Sequence, residues 1–555
     1  MKRHIWIAGV LLAMCASCDD FLDYNENSDY DQNSVFNITW SNEDFVTGIY
    51  AYMPGALSDV DNALRSSGCD EAEFSVPTSG IHRFYDGSWS ALNPVDDKWS
   101  YYYAGIRRCN DYLENGTGKT WDQFLYDKNY EKIMRKYRNL EWEVKGLRAY
   151  LYFELVKRYN RIPLVTKVLT EAEANAQKPV DYQTVVDFIV KECEDISTDG
   201  KLPVTYDGNY DNETGRLNRA FALALKARAL LYAASPLNNP TNETGKWVKA
   251  AEAAKALIDQ ADGWGIRLVG FNELLATDNF KKAEMILIKR LGDSNTFESI
   301  NFPVGLDGGN GGNCPTQNLV DAFGMKSGQT LDSAHPYANR DPRLGYTVLC
   351  QGAATAYKET LDVTYGGANG LPLEKATRTG YYLSKFVNTS VSLTAVSTTT
   401  ARHSIPLFRY AEVLLNYAEA MNEAYGPVAT GESTLTLNAL DALNLVRARG
   451  GLDIDLLAAA DVPDRTAFRL ALRKERMVEL AFEDHRFWDI RRWKIGAETA
   501  TIKRVTVKRD GDGYSYVYSA TTNRIWEEKM NFYPIPQAEL DKNPNLVQNE
   551  GWELK

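Results

Sequence analysis

The sequence predicts a mainly α protein in which tetratricopeptide-like helical pairs form a scaffold, large irregular loops are inserted into it and minor β-hairpins complete it. Three observations carry this. Apolar residues recur at helical spacing in paired stretches, small residues sit where paired helices would cross, and long segments rich in Gly, Ser, Thr and Asn separate the pairs.

The clearest pair lies near the middle. Trp247, Ala250, Ala251, Ala254, Leu257 and Ile258 fall at i, i+3, i+4, i+7, i+10 and i+11, a continuous apolar stripe on one helix. Residues 218–235 before it are rich in Ala and Leu, stop at Pro236 and join it through the turn-rich 238–245, so the two read as a helical hairpin. The pattern recurs at 406–425 with 435–449, where Ala411, Ala418 and Ala420 permit close approach. Residues 141–159 with 182–196 form a third candidate, and 465–482 followed by 483–494 a fourth. Irregular spacing between pairs argues for a scaffold with insertions rather than a regular solenoid. The insertions fall near 66–99, 291–313 and 351–400, and long irregular loops on a rigid scaffold are the usual seat of binding. Alternating Tyr514, Tyr516 and Tyr518 within 510–519 mark a small hairpin.

The N-terminus reads as an export signal over residues 1–17: Lys2 and Arg3, an apolar run from Ile5 to Met14, then Ala16 and Ser17 before Cys18. The run is too short to span a bilayer. Small residues followed by cysteine form a lipobox, with Cys18 acylated as the mature N-terminus; placing the lipid at Cys15 would put bulky Met14 beside the cleavage point. Residues 18–40 then form a lipidated, acidic tether carrying Asp19, Asp20 and Asp23, and 41–555 a single domain. Cys69, Cys109, Cys193, Cys314 and Cys350 are scattered without zinc-ligand spacing, so neither a disulfide framework nor a thiol metal site is expected.

Net charge is −12, and −14 without residues 1–17, which argues against a nucleic-acid partner. Aromatic content of 12% is more telling, because flat rings with polar tips suit faces shared with sugars or proteins. Catalytic signatures fail on chemistry. The five histidines are isolated, no G-x-S-x-G elbow occurs, and Gly308–Gly312 lacks the Lys-Ser/Thr that would hold a phosphate and Mg²⁺. Arg473, Glu475, Arg476, Glu479, Glu483 and Arg486 fall at three- and four-residue spacings, so acids and bases become neighbours on a helix face. The arginines would lower the carboxylate pKa values and spoil them as general acids for glycoside hydrolysis.

Four stretches together resemble the SusD/RagB family of outer-membrane nutrient-binding lipoproteins. They are Tyr102-Tyr103-Ala104-Gly105-Ile106 leading to Arg108-Cys109-Asn110; Gly146-Leu147-Arg148-Ala149-Tyr150 through to Ile162-Pro163-Leu164-Val165; 473–493 with Glu475-Arg476, Glu479-Leu480-Ala481-Phe482-Glu483 and Arg486-Phe487-Trp488-Asp489; and 533–552 with Pro534-Ile535-Pro536 and Asn543-Pro544-Asn545-Leu546. They occur in the family's order over most of the chain, behind a lipobox.

The resemblance implies a SusD-like domain with a loop-borne site that stacks aromatic rings on sugars and adds polar contacts from Arg, Asn and Asp. It places that site in the segment upstream of the Tyr-Tyr-Ala-Gly motif and in the middle of the chain. The upstream candidates are Trp89, Arg83, Tyr85, Asn93 and Phe84, with His82 and Asp86; the middle ones are Phe302 and Asn301, with Phe297, Asp307 and Asn310. Trp89, flanked by Gly87, Ser88 and Ser90, is the first choice, its other reading being a loop anchor packed on the scaffold. The resemblance further implies an oligo- or polysaccharide ligand, a SusC-like TonB-dependent transporter as partner, and lipid anchorage in the outer membrane facing the cell exterior. A RagB-like peptide binder, a surface glycoside hydrolase and a structural adaptor are the alternatives. No cofactor is expected; Asp and Asn are plentiful in the loops, but no twelve-residue calcium loop is present, so a structural Ca²⁺ is not predicted.

Overall fold

A computed structural model describes residues 35–554, apart from 56, 207–212, 433 and 521–523. The expected export signal, Cys18 and most of the tether lie outside the described residues. Among those described, no helix is long and apolar enough to cross a membrane.

The scaffold is built from α1 (Thr39–Tyr50), α2 (Trp99–Asn115), α3 (Tyr130–Tyr159), α4 (Tyr182–Ser197), α5 (Arg219–Ala234), α6 (Thr244–Ala261), α7 (Tyr410–Tyr425), α8 (Ala439–Arg447), α9 (Arg465–Glu479) and α10 (Arg486–Arg492). Helix α5 starts where Asn218 Oδ1 accepts the Phe221 N–H at 2.8 Å and stops before Pro236. Its partner α6 turns Trp247, Ala250, Ala251, Ala254 and Leu257 into the core. Consecutive helices pack in chain order: α2 on α3, α3 on α4, α4 on α5, α5 on α6, α6 on α7 and α7 on α8. Each pair covers an apolar face its neighbour cannot bury alone, so the core runs continuously through the stack. The mainly α, helical-pair architecture expected from the sequence is the one observed.

Small two-stranded sheets join distant segments: β1 (Ala72–Phe74) with β3 (Asn313–Pro315), β2 (Met285–Arg290) with β4 (Ser404–Arg409), and β5 (Lys503–Asp510) with β6 (Gly513–Ala520), all antiparallel. Residues 406–409, expected to begin a helix, belong instead to β4, where Phe408 lies opposite Leu287. The partner strand is remote in sequence, which local periodicity cannot report. The tyrosine hairpin is longer than expected because β5 pairs along its whole length, Val507 opposite Tyr516.

The fourth helical pair is also arranged differently. Phe482 (φ +59°) and Asp484 (φ +61°) turn the chain sharply after α9, which packs on α7, while α10 packs on the turn at Arg65–Gly68. The charges expected to pair along the helix instead reach other elements. Glu479 accepts from Arg343 (2.8 Å), Arg409 (2.7 Å) and Arg449; Glu483 accepts from Arg409 (2.6 Å) and Lys385 (2.7 Å); Glu475 accepts from Arg343 (2.6 Å). These groups are buried, so the lattice locks α9 and the turn after it against β4, the third insertion through Lys385, and the segments that carry Arg343 and Arg449.

Candidate functional site

The three insertions converge at one junction. Strand β1 from the upstream segment pairs with β3 at the end of the middle segment, with Glu73 opposite Cys314. Asn313 fastens both sides: its Oδ1 accepts from Leu64 N (2.9 Å) and Ser67 Oγ (2.8 Å), and its Nδ2 donates to Asn301 Oδ1 (2.9 Å). The third insertion crosses at Gly311 (φ +80°), where a Cβ would stand 2.4 Å from the Lys375 carbonyl oxygen. Only glycine permits that approach.

Two acidic residues moor this junction to the scaffold. Asp70 accepts two hydrogen bonds from Arg486, at 2.9 and 2.7 Å. Glu71 Oε1 accepts the Phe482 N–H at 3.0 Å, and its main-chain carbonyl accepts Thr316 N at 3.1 Å. Burial pushes the Glu71 carboxyl up to about 7, against an ordinary 4.5, despite the hydrogen bonds it accepts.

The candidate residues separate by burial. Trp89 is 3% exposed, with its ring edge-on to Phe84 (5.0 Å), Tyr533 (4.9 Å) and Trp552 (4.9 Å). It holds the loop to the C-terminal segment and presents no open face to a ligand in this conformation. Phe84 packs on Phe487 in the same cluster, at 4.8 Å. Phe302 is buried edge-on to Tyr357, and Asn301 is buried with its oxygen committed to Asn313. Phe297 is buried as well. Arg83 and Asn93 are half-buried and donate to the Pro94 and Ser88 carbonyls. The structure does bring the upstream and middle segments together, but most of the named side chains form the seam.

Tyr85 is half-buried. The Arg524 guanidinium lies 4.0 Å from its centroid, His82 Nδ1 meets its hydroxyl, and Glu73, Asp86 and Arg378 act on it electrostatically. Burial raises the Tyr85 phenol above its ordinary value, so the hydroxyl stays protonated and can donate. Arg524 is held in place by donating to the Ala72 carbonyl at 2.9 Å. Asn310 is half-buried, its side chain accepting from Lys375 Nζ at 3.0 Å while its carbonyl accepts from Ser75 Oγ. The result is an aromatic ring with cationic and amide groups along a seam of loops. Arg524, Arg378, Lys375 and Glu73 were missed from the sequence, where no motif or periodicity marks them.

Glu479 on α9 and Glu483 just after it are unsuited to act as acid catalysts. Burial alone would raise the Glu479 and Glu483 carboxyls, but the surrounding Arg and Lys charges outweigh it and hold both below the usual carboxylate range. Carboxyls held ionised cannot deliver a proton to a leaving group.

Fold and seam together define a helical-pair scaffold on which three inserted loops meet. Residues 289–552 match the model of the SusD family. It is 32% identical over 148 residues to SusD-like protein P2 of Formosa agariphila, a match spanning 26% of this chain and about a quarter (25%) of that relative. The fold is similar to those of a SusD-like protein (TM-score 0.75, 24% identity, 94% of this chain and 98% of the other) and a SusD-like carbohydrate binding protein (TM-score 0.74, 23% identity, 93% and 100%), both from Bacteroides fragilis.

Proposed function

We propose that this protein captures saccharides at the outer-membrane surface, on the face where the three insertions meet, and passes them to a SusC-like TonB-dependent transporter. The observation that carries the reading is the convergence of the upstream and middle loops through β1 and β3, with a half-buried Tyr85 beside Arg524. Tyrosine rings stack on the apolar faces of sugars, and fixed polar groups select hydroxyls. A neighbour of the same fold is described as carbohydrate binding, which supports the ligand class.

A single stacked ring adds about 0.5–1.5 kcal/mol beyond area burial, so affinity should be modest. Modest affinity suffices for a protein tethered beside an importer, because the tether sets a high effective concentration. The lipid at Cys18 would supply that tether.

The test is calorimetry and affinity electrophoresis of the chain lacking residues 1–18 against plant, microbial and host glycans, with Tyr85→Ala and Arg378→Ala in parallel. Binding to one glycan class without turnover, weakened by Tyr85→Ala, supports the reading. Glycan cleavage would overturn it in favour of an enzyme, and binding of peptides alone would overturn the ligand class.

A further inference from the structure

A groove of about 670 Å³ lies well away from the loop seam, between the 236–242 turn, α6, α7, α9 and residues 493–498. It is within the size range of small-ligand sites. Arg473 stands on its wall, with the guanidinium 4.8 Å from the Trp493 ring centroid. Neighbouring arginines each hold a carboxylate: Arg469 holds Glu423 (2.6 Å), Arg476 holds Asp489 (2.8 Å) and Arg492 holds Glu419 (2.5 Å). Arg473 makes no ion pair or hydrogen bond among the described residues, and its Nε is buried without a partner. Burial lowers the pKa of this guanidinium, an imbalance that an oxyanion beside it would reverse.

We propose that this groove is a second binding site, for a carboxylate-bearing saccharide, with Arg473 as the carboxylate receptor. The guanidinium is planar and lies 4.8 Å from the Trp493 ring centroid, and with Nε buried its two Nη groups are the donors that would take the oxygens of a carboxylate. Glu419, the nearest buried acid, is already committed to Arg492 and to Trp493 Nε1 (2.7 Å) and does not reach Arg473. The remaining lining is mixed: Glu423 is held by Arg469 and Lys494 by Glu528, while the Glu498 charge acts on Arg473 from the same groove. Pro240 and the exposed Leu470 supply apolar surface, while Asn242 and Thr466 supply polar groups. The long walls are helices, whose main-chain groups are bonded internally, so an extended peptide finds no strand edge there to pair with.

This inference takes the saccharide class from the reading above but not its site, and the experiment separates the two. The chain lacking residues 1–18 is titrated calorimetrically with trigalacturonate, with its methyl ester and with hexaglutamate peptide, while the neutral glycan panel is run on Tyr85→Ala. Trigalacturonate should bind and the ester should not, and added salt should weaken the binding. Arg473→Gln should weaken it roughly tenfold or more, and Arg473→Lys less, since a lysine keeps the charge but loses the fork. Arg473 makes no ion pair or hydrogen bond that its replacement would break, and an unchanged melting temperature of each variant separates lost binding from lost packing on Trp493. Leu470→Asp, on the exposed rim, should also weaken binding by repulsion without touching the core. Neutral-glycan binding should be unchanged by either groove variant. No binding of trigalacturonate, equal binding of the ester, or indifference to both groove variants overturns the proposal, and preferential binding of hexaglutamate overturns its saccharide class. Loss of neutral-glycan binding in Tyr85→Ala speaks only to the loop site.

Discussion

Arg486 grips Asp70 through two hydrogen bonds of 2.9 and 2.7 Å, joining the N-terminal residue of α10 to the loop that leads into β1. Both side chains are nearly buried, at 10% and 5% exposure, so water screens the pair little. Arg486→Lys keeps the charge and loses the two-point grip. It is expected to lower stability by about 1–2 kcal/mol and to speed proteolysis within residues 66–99. Unfolding of the single and double variants with Asp70→Asn measures the coupling; strictly additive effects would show that the pair does not moor the loop.

Glu71 makes a second, pH-dependent mooring. Its folded-state carboxyl is raised to about 7 by burial, above an ordinary 4.5, so the folded chain keeps a proton that the unfolded chain releases. Stability contributed by this residue is therefore complete below about pH 4.5 and is lost as the pH rises through about 7. Glu71→Gln stays neutral and still accepts the Phe482 N–H. It should be more stable than the parent by on the order of 2 kcal/mol at pH 8 and indistinguishable from it at pH 4. Denaturant melts at the two pH values decide the matter, and a gain that is equal at both would refute the assignment to a charge.

Glu479 behaves in the opposite sense. Burial opposes its ionisation, yet Arg449, Arg409 and Arg343 hold its carboxyl below the usual range. The stability it supplies is present above the ordinary carboxylate pKa and is lost as the pH falls. Glu479→Gln leaves three arginines short of a partner and should cost about 3–5 kcal/mol at neutral pH. That penalty should shrink in melts at pH 3; an undiminished one would point to packing instead.

Trp89→Ala tests the ring as an anchor. Its edge contacts with Phe84, Tyr533 and Trp552 disappear and leave a cavity, so a loss of about 3–5 kcal/mol is expected without any ligand present. An unchanged melting temperature combined with lost glycan binding would return Trp89 to the ligand face.

Much of the scaffold was legible from local pattern. The stripe from Trp247 to Leu257 has one face that must be buried, and Pro236 must stop the helix before it, whatever surrounds them. Legibility ended where a residue's role depends on a remote partner. Residues 406–409 read as the approach to a helix until β2 supplies the strand beside them. The spacing of Glu475, Glu479 and Glu483 matches helix-internal pairs, but their cations come from Arg343, Lys385, Arg409 and Arg449 on other elements.

The candidate site divides the same way. The family resemblance named the candidate segments, and their loop composition, a local property, agrees with it. Which side chains in them face outward was settled only by tertiary packing. Trp89 sits in a Gly- and Ser-containing loop that looks open in sequence, yet Tyr533 and Trp552 from the far end of the chain close over it, while Tyr85 four residues earlier is only half-buried. Burial is a sum over neighbours distant along the chain, so no window of sequence around either ring contains the information that separates them.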